Sequence, residues 1–283
     1  MTTQRRRRRS LASYLDLPTM ISALIRRLGP KAVLLWTLLV LVMASVASGL
    51  ASLVAGLQSG YLFLTVTLAL TAAWGMAALG ASMRARLAAA LSMSLGMIFL
   101  LIHVGGLGDD LFRAARATLG LLIEIVAWPW LGPPRLATIL APARALVGVW
   151  GDMAILLRRP LTWLWGVIQG RGVFDPVAST LTWGLAMWLC GSWAGWVARR
   201  HIHPLLAIAP GGALVAFLLA YTGAKAAILL PIIGLTLILM ALMREWAREQ
   251  RWEQQNIDYS RALWQDMVVV AMLVAAATVS VAA

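Results

Sequence analysis

The chain has 283 residues, 61% of them hydrophobic and only 12% charged, with a net charge of +13 and a mean hydropathy of +0.83. That apolar fraction exceeds what a water-soluble fold of this length can bury, so the bilayer is the expected solvent. The lone cysteine, Cys190, excludes an internal disulfide and any multi-cysteine metal site.

The first ten residues, "MTTQRRRRRS", are basic, but Asp16, Pro18, Arg26 and Arg27 interrupt the stretch that follows, so no cleavable signal is expected. A membrane-crossing helix needs about 20 mostly apolar residues. On length and absence of charge, spans are expected at 32–57, 61–82, 87–107, 176–198, 204–221, 226–243 and 267–283. The fifth is weakened by "APGG" at 209–212. The expected fold is therefore an all-α polytopic transmembrane bundle of about seven spans. It divides into a basic N-terminus (1–31), a three-span unit (32–107), a long exterior segment (108–175), a second three-span unit (176–243), an elbow (244–266) and a final span (267–283).

Lys and Arg collect on the cytoplasmic flanks of membrane helices. Arg5, Arg6, Arg7, Arg8 and Arg9, with Arg26, Arg27 and Lys31, place the N-terminus inside the cell. Alternation then puts Arg84 and Arg86, Arg199 and Arg200, and the elbow inside as well, and the C-terminus outside. These arginines are expected to meet anionic lipid headgroups rather than nucleic acid, because no basic and aromatic surface of useful length lies outside the spans.

Segment 108–175 falls outside and carries seven arginines, which long loops tolerate. Its apolar pieces, such as "LGLLIEIVAWPWLG", are interrupted by Glu124, Pro129 and the pair Pro133 and Pro134, and so read as short interfacial or re-entrant helices. The alternative threads a further pair of helices through 117–131 and 143–157. Trp128, Trp130, Trp150, Trp163 and Trp165 suit the headgroup layer. Trp183, Trp188, Trp193 and Trp196, along the fourth span, suit core packing or lipid contact rather than a cofactor cage.

No constellation of residues points to chemistry. His103 is expected near the outer face and His201 and His203 near the inner one, too far apart to share a metal across a core of about 30 Å. No histidine neighbours Cys190, so a nucleophile and base are not paired. No cofactor is expected. A transporter would place ionisable groups inside its spans, and these spans are almost free of them.

Between the sixth and last spans lies "MREWAREQRWEQQNIDYSRALWQD". Its first part has good helix formers and no breaker, so the sixth span should run on into a solvated helical elbow. Local pairing is expected for Glu245 with Arg248 and for Glu249 with Arg251. "NIDYS" then breaks the helix, with Asp258 or Ser260 as a cap.

The basic N-terminus, the exit "GWVARRHIHPLLAIAP" followed by two helices, and this elbow together resemble the membrane portion of bacterial transglutaminase-like membrane proteins. The likeness covers much of 176–283 and, more loosely, the first three spans. In the elbow it rests on Trp252 and on the Asp-aromatic-Ser stretch Asp258, Tyr259 and Ser260. In that family one further span leads to an exterior papain-like Cys-His-Asp domain. No residue here matches that triad, so no catalytic residue carries over. The tail "MVVVAMLVAAATVSVAA" is expected to be a chain cut at its membrane exit. The resemblance implies a non-catalytic inner-membrane anchor for an exterior transglutaminase-like domain. The alternatives are an accessory subunit of a larger membrane complex, meeting partner subunits and lipids through its Trp-rich faces, and, last, a small-solute transporter.

Overall fold

A computed structural model describes residues 30–78, 85–133, 135–171, 174–201 and 203–255. Among them there is no strand. The helices are α1 (Pro30–Leu53), α2 (Ser59–Ala78), α3 (Ala85–Gly105), α4 (Gly108–Leu131), α5 (Leu136–Ile168), α6 (Pro176–His201), α7 (Pro204–Thr222) and α8 (Leu229–Gln254), the last entered through a 3-10 turn at Ala226–Ile228. Among the described residues six segments are long and apolar enough to cross a membrane: Lys31–Leu53, Ser59–Ala78, Ala85–Gly105, Leu136–Ile168, Pro204–Thr222 and Ala226–Glu249. The chain is an all-α bundle of multi-pass membrane type.

Helices α1, α2, α3, α6, α7 and α8 run up and down. One end of the bundle holds the starts of α1, α3 and α7 and the ends of α2, α6 and α8, and it carries the charges. Lys31 meets Glu249 there, and Arg199 lies between Trp74 and Trp246. At the other end Gly49 faces Ile228, and Gly56 faces Phe174. His103 stacks on Tyr61 at 5.4 Å and on Phe99 at 5.7 Å.

Helix α6 is the centre, packed against α1, α2, α3, α5 and α7. It is not among the six apolar segments, and its position explains why it need not be. Its small and polar residues face other helices instead of lipid. In a bilayer, apolar side chains gain nothing by leaving lipid for protein, so close backbone approach and hydrogen bonds must hold helices together. The "GSWAG" stretch supplies the approach. A Cβ on Gly191 would lie 2.8 Å from the carbonyl oxygen of Val66, and one on Gly195 would lie 2.5 Å from that of Leu70. Hydrogen bonds tie α6 to α3: the Trp188 indole donates to the Ser92 carbonyl at 2.9 Å, and the Ser92 and Ser192 hydroxyls share one at 2.7 Å. Leu39, Met43, Leu62, Leu70, Met187 and Met243 fill the space between.

The "APGG" stretch does not weaken α7, which passes through Pro210 without a break. Pro210 has no amide hydrogen, so the carbonyl of Leu206, four residues earlier, loses its helical donor. The indole of Trp193 takes its place, donating to that carbonyl at 2.8 Å. Such replacement of a lost backbone donor is what makes proline tolerable in membrane helices. Pro231 falls in the first turn of α8, where proline costs little.

Segment 108–175 differs from the short, proline-broken pieces expected of it. It forms two continuous helices that pack as an antiparallel hairpin, α4 of 24 residues and α5 of 33. Pro129, Pro142 and Pro160 all sit inside helix. The chain reverses at Gly132, whose φ of 84° lies in the left-handed region that glycine adopts at no steric cost. Thr138 donates to Glu124 across the hairpin at 3.1 Å. Its base is fixed at the end of the bundle away from the charges: Leu156 of α5 packs where a Cβ on Gly105 would lie 2.4 Å from it, and Arg159 pairs with Asp175 at 3.3 Å. The rest of both helices projects from the bundle with a broad apolar face exposed.

Candidate functional site

The residues with chemistry gather at the charged end. Helix α8 continues well past the sixth expected span, Ala226 to 243, to Gln254. Glu245 and Glu249, one turn apart, face inward and are only 2% and 4% exposed. The helical run-on expected from the sequence is present, but the face that carries these two carboxylates is buried rather than solvated. Buried carboxylates must be paired, and one cation meets each of them. Lys31, from the first turn of α1 and 218 residues away in sequence, donates to Glu249. Arg248 lies 3.3 Å from Glu245 with the expected i,i+3 spacing. Arg199, from the last turn of α6, inserts its guanidinium between the rings of Trp74 (5.5 Å) and Trp246 (5.6 Å). The adjacent Arg200 covers Trp196 at 5.0 Å. A cation over an aromatic face contributes about 0.5–2 kcal/mol, more when desolvated, so the Arg199 sandwich joins α2, α6 and α8 with useful strength.

Glu249 therefore pairs with Lys31 and not with Arg251, as the sequence suggested. Residues two apart on a helix do not share a face, and Arg251 points away, exposed. Of the arginines expected at lipid headgroups, Arg86 and Arg200 are exposed at this end, while Arg199 is drawn inward between the two tryptophans. Arg5, Arg6, Arg7, Arg8, Arg9 and Arg84 lie outside the described residues, as do Asp258, Tyr259, Ser260 and the last span, 267–283. Trp252 falls in the last turn of α8.

His201 and His203 are exposed at the charged end, and His103 is at the other, in its aromatic stack. Among the described residues no group of three or more His, Cys, Asp or Glu could hold a metal. Cys190 is buried in α6. The buried polar residues among those described are Thr65, Ser92 and Ser179 within the bundle, and Glu245 and Glu249 at its end. Chemically, the charged end can act as a clamp and as a polar surface. No nucleophile and base meet in it. No protein-family model matches the chain, and no curated protein or solved structure does either.

Proposed function

We propose that the chain is a non-catalytic membrane anchor that holds an exterior module, of transglutaminase-like type, at a fixed position above a bacterial inner membrane. In this reading the charged end faces the cytoplasm, together with the N-terminus, and the last span carries the chain to the exterior. The observation that supports it best is the clamp on α8. An anchor needs its outgoing segment to be rigid, and α8 leads directly into the elbow that resembles that family. Lys31 of α1 and Arg199 of α6 grip it, and Trp74 of α2 backs the Arg199 guanidinium. The lack of ionisable groups in the middle of the bundle, among the described residues, counts against solute transport.

The hairpin fits the same arrangement as an interfacial element on the exterior surface. Arg144, Arg158 and Arg159 are spread along α5, Arg113 and Arg116 lie in the first half of α4, and each helix keeps an apolar exposed face. Charges spread lengthwise suit helices lying in the plane of the headgroups. The same exposed face, with Trp150 and Trp130 on it, favours the second reading, an accessory subunit that docks a partner's helices.

Tags at the two termini, probed in sealed cells, should report from opposite sides. Both reporting from one side ends the anchor reading. Reading the coding sequence beyond Ala283 separates the two roles: an exterior Cys-His-Asp domain supports the anchor, and an immediate stop codon supports the subunit.

A further inference from the structure

Beside the clamp, on the outer flank of the same end, α7 and α8 border a cavity of about 590 Å3 lined by His203, Leu205 and Leu206 on one side and by Met243, Arg244 and Arg251 on the other. Its walls are ordered by polarity. Going outward along α8, Met240 and Met243 come first, then Arg244, Ala247 and Arg251. Opposite them Leu205 and Leu206, in the first turn of α7, are 58% and 48% exposed, and His203 caps that helix. Arg244 and Arg251 stand two turns apart on one face of α8, with the methyl of Ala247 between them leaving a recess. Neither arginine has an ion-pair partner among the described residues.

We propose that this cavity binds one anionic phospholipid of the adjoining leaflet. Its phosphodiester lies over Ala247 between Arg244 and Arg251, with His203 at the rim, and its acyl chains run down Leu205, Leu206 and Met240. Three features carry the assignment. The two exposed guanidiniums form an anion site, and guanidinium favours phosphate oxygens through paired N–H donors. The apolar lining begins one turn deeper, as the join of headgroup and chain requires. Both halves lie at the charged end of α7 and α8, two helices long and apolar enough to cross a membrane. A free phosphate would satisfy the arginines but not the leucine and methionine wall. The site does not depend on the anchor role.

Native mass spectrometry of the full chain in detergent tests this with three probes: phosphatidylglycerol, phosphatidylcholine and inorganic phosphate. One phosphatidylglycerol should be retained in preference to phosphatidylcholine. Arg244→Gln with Arg251→Gln should lower its retention about tenfold or more. Leu206→Trp, which fills the apolar half and leaves both arginines, should lower it as well. Arg144→Gln with Arg158→Gln, on the hairpin, should leave it unchanged. Size-exclusion elution confirms folding, and if the double Gln variant elutes as aggregate, Arg244→Lys with Arg251→Lys replaces it and should weaken binding less than tenfold. Equal retention of the two lipids, indifference to both cavity variants, or displacement of the lipid by inorganic phosphate at equal concentration would each overturn the proposal.

Discussion

Glycines measure the difference between the two parts of this molecule. In the bundle, Gly195 and Gly191 of α6 lie against the backbone of α2, and Gly184 makes room for the ring of Tyr61. In the hairpin, Gly120, Gly148 and Gly151 have no neighbour within 4 Å, and Trp150 beside them is 65% exposed. Both parts are helical and apolar, so composition does not separate them. What separates them is whether small residues let one helix reach another. Where lipid is the solvent, that complementarity decides which helices associate; the bundle has it, and most of the hairpin's surface is left for lipid or another protein.

The sharpest way to break the contrast is to add bulk. Gly195→Leu should cost about 3 kcal/mol or more, because the added atoms meet the Leu70 carbonyl, a backbone group that cannot move aside. Loss of monodisperse protein on mild heating in detergent would show it. Next is the clamp. Lys31→Met should cost about 2 kcal/mol by leaving the carboxylate of Glu249 buried without a partner. Glu249→Gln should cost less, since Lys31 is 39% exposed and can turn to water. Stability in a denaturing-detergent titration orders the pair, and the reverse order would refute the assignment of the burden to Glu249. Smaller still, Trp193→Phe should cost about 1–2 kcal/mol by stranding the Leu206 carbonyl. In a Pro210→Ala background the restored amide takes that carbonyl, so the same change should cost little more than the lost packing; equal costs in both backgrounds would show that the indole bond carries nothing. The smallest effect has the opposite sign. Gly148→Ala should stabilise the hairpin by about 0.5–1 kcal/mol, the usual gain for alanine over glycine within a helix, seen as slower hydrogen exchange over residues 136–168.

Much of the architecture was legible because lipid makes simple demands. Charged flanks at Lys31, Arg86 and Arg199 mark helix ends in one dimension, and the described spans start and stop within a few residues of them. The continuity of α4 and α5 was legible only as the alternative pair of helices at 117–131 and 143–157, both shorter than the helices that form. Pro129, Pro142 and Pro160 are breakers by local rules, and only tertiary surroundings or missing solvent competition can overrule them. Trp193 shows how: its role depends on the Leu206 carbonyl, thirteen positions away, which Pro210 leaves without a helical donor, and it becomes visible only when α6 lies beside α7. The clamp was half legible. The spacing of Glu245 and Arg248 announces their pairing, whereas the meeting of Lys31 with Glu249 spans 218 positions and has no local signature. Nothing local marks the exposed Arg244 and Arg251 as a pair, because the cavity beside them is completed by a different helix.

The grip on α1 has a consequence for biogenesis. The first helix described is secured by a carboxylate on the last one described, 218 positions on, so its outer turn must wait through the synthesis of nearly everything between. Contacts between segments so distant form late and close slowly. During that interval the lysine at its base has only headgroups and water for company, and the insertion machinery or lipid must shelter two helices that have yet to meet.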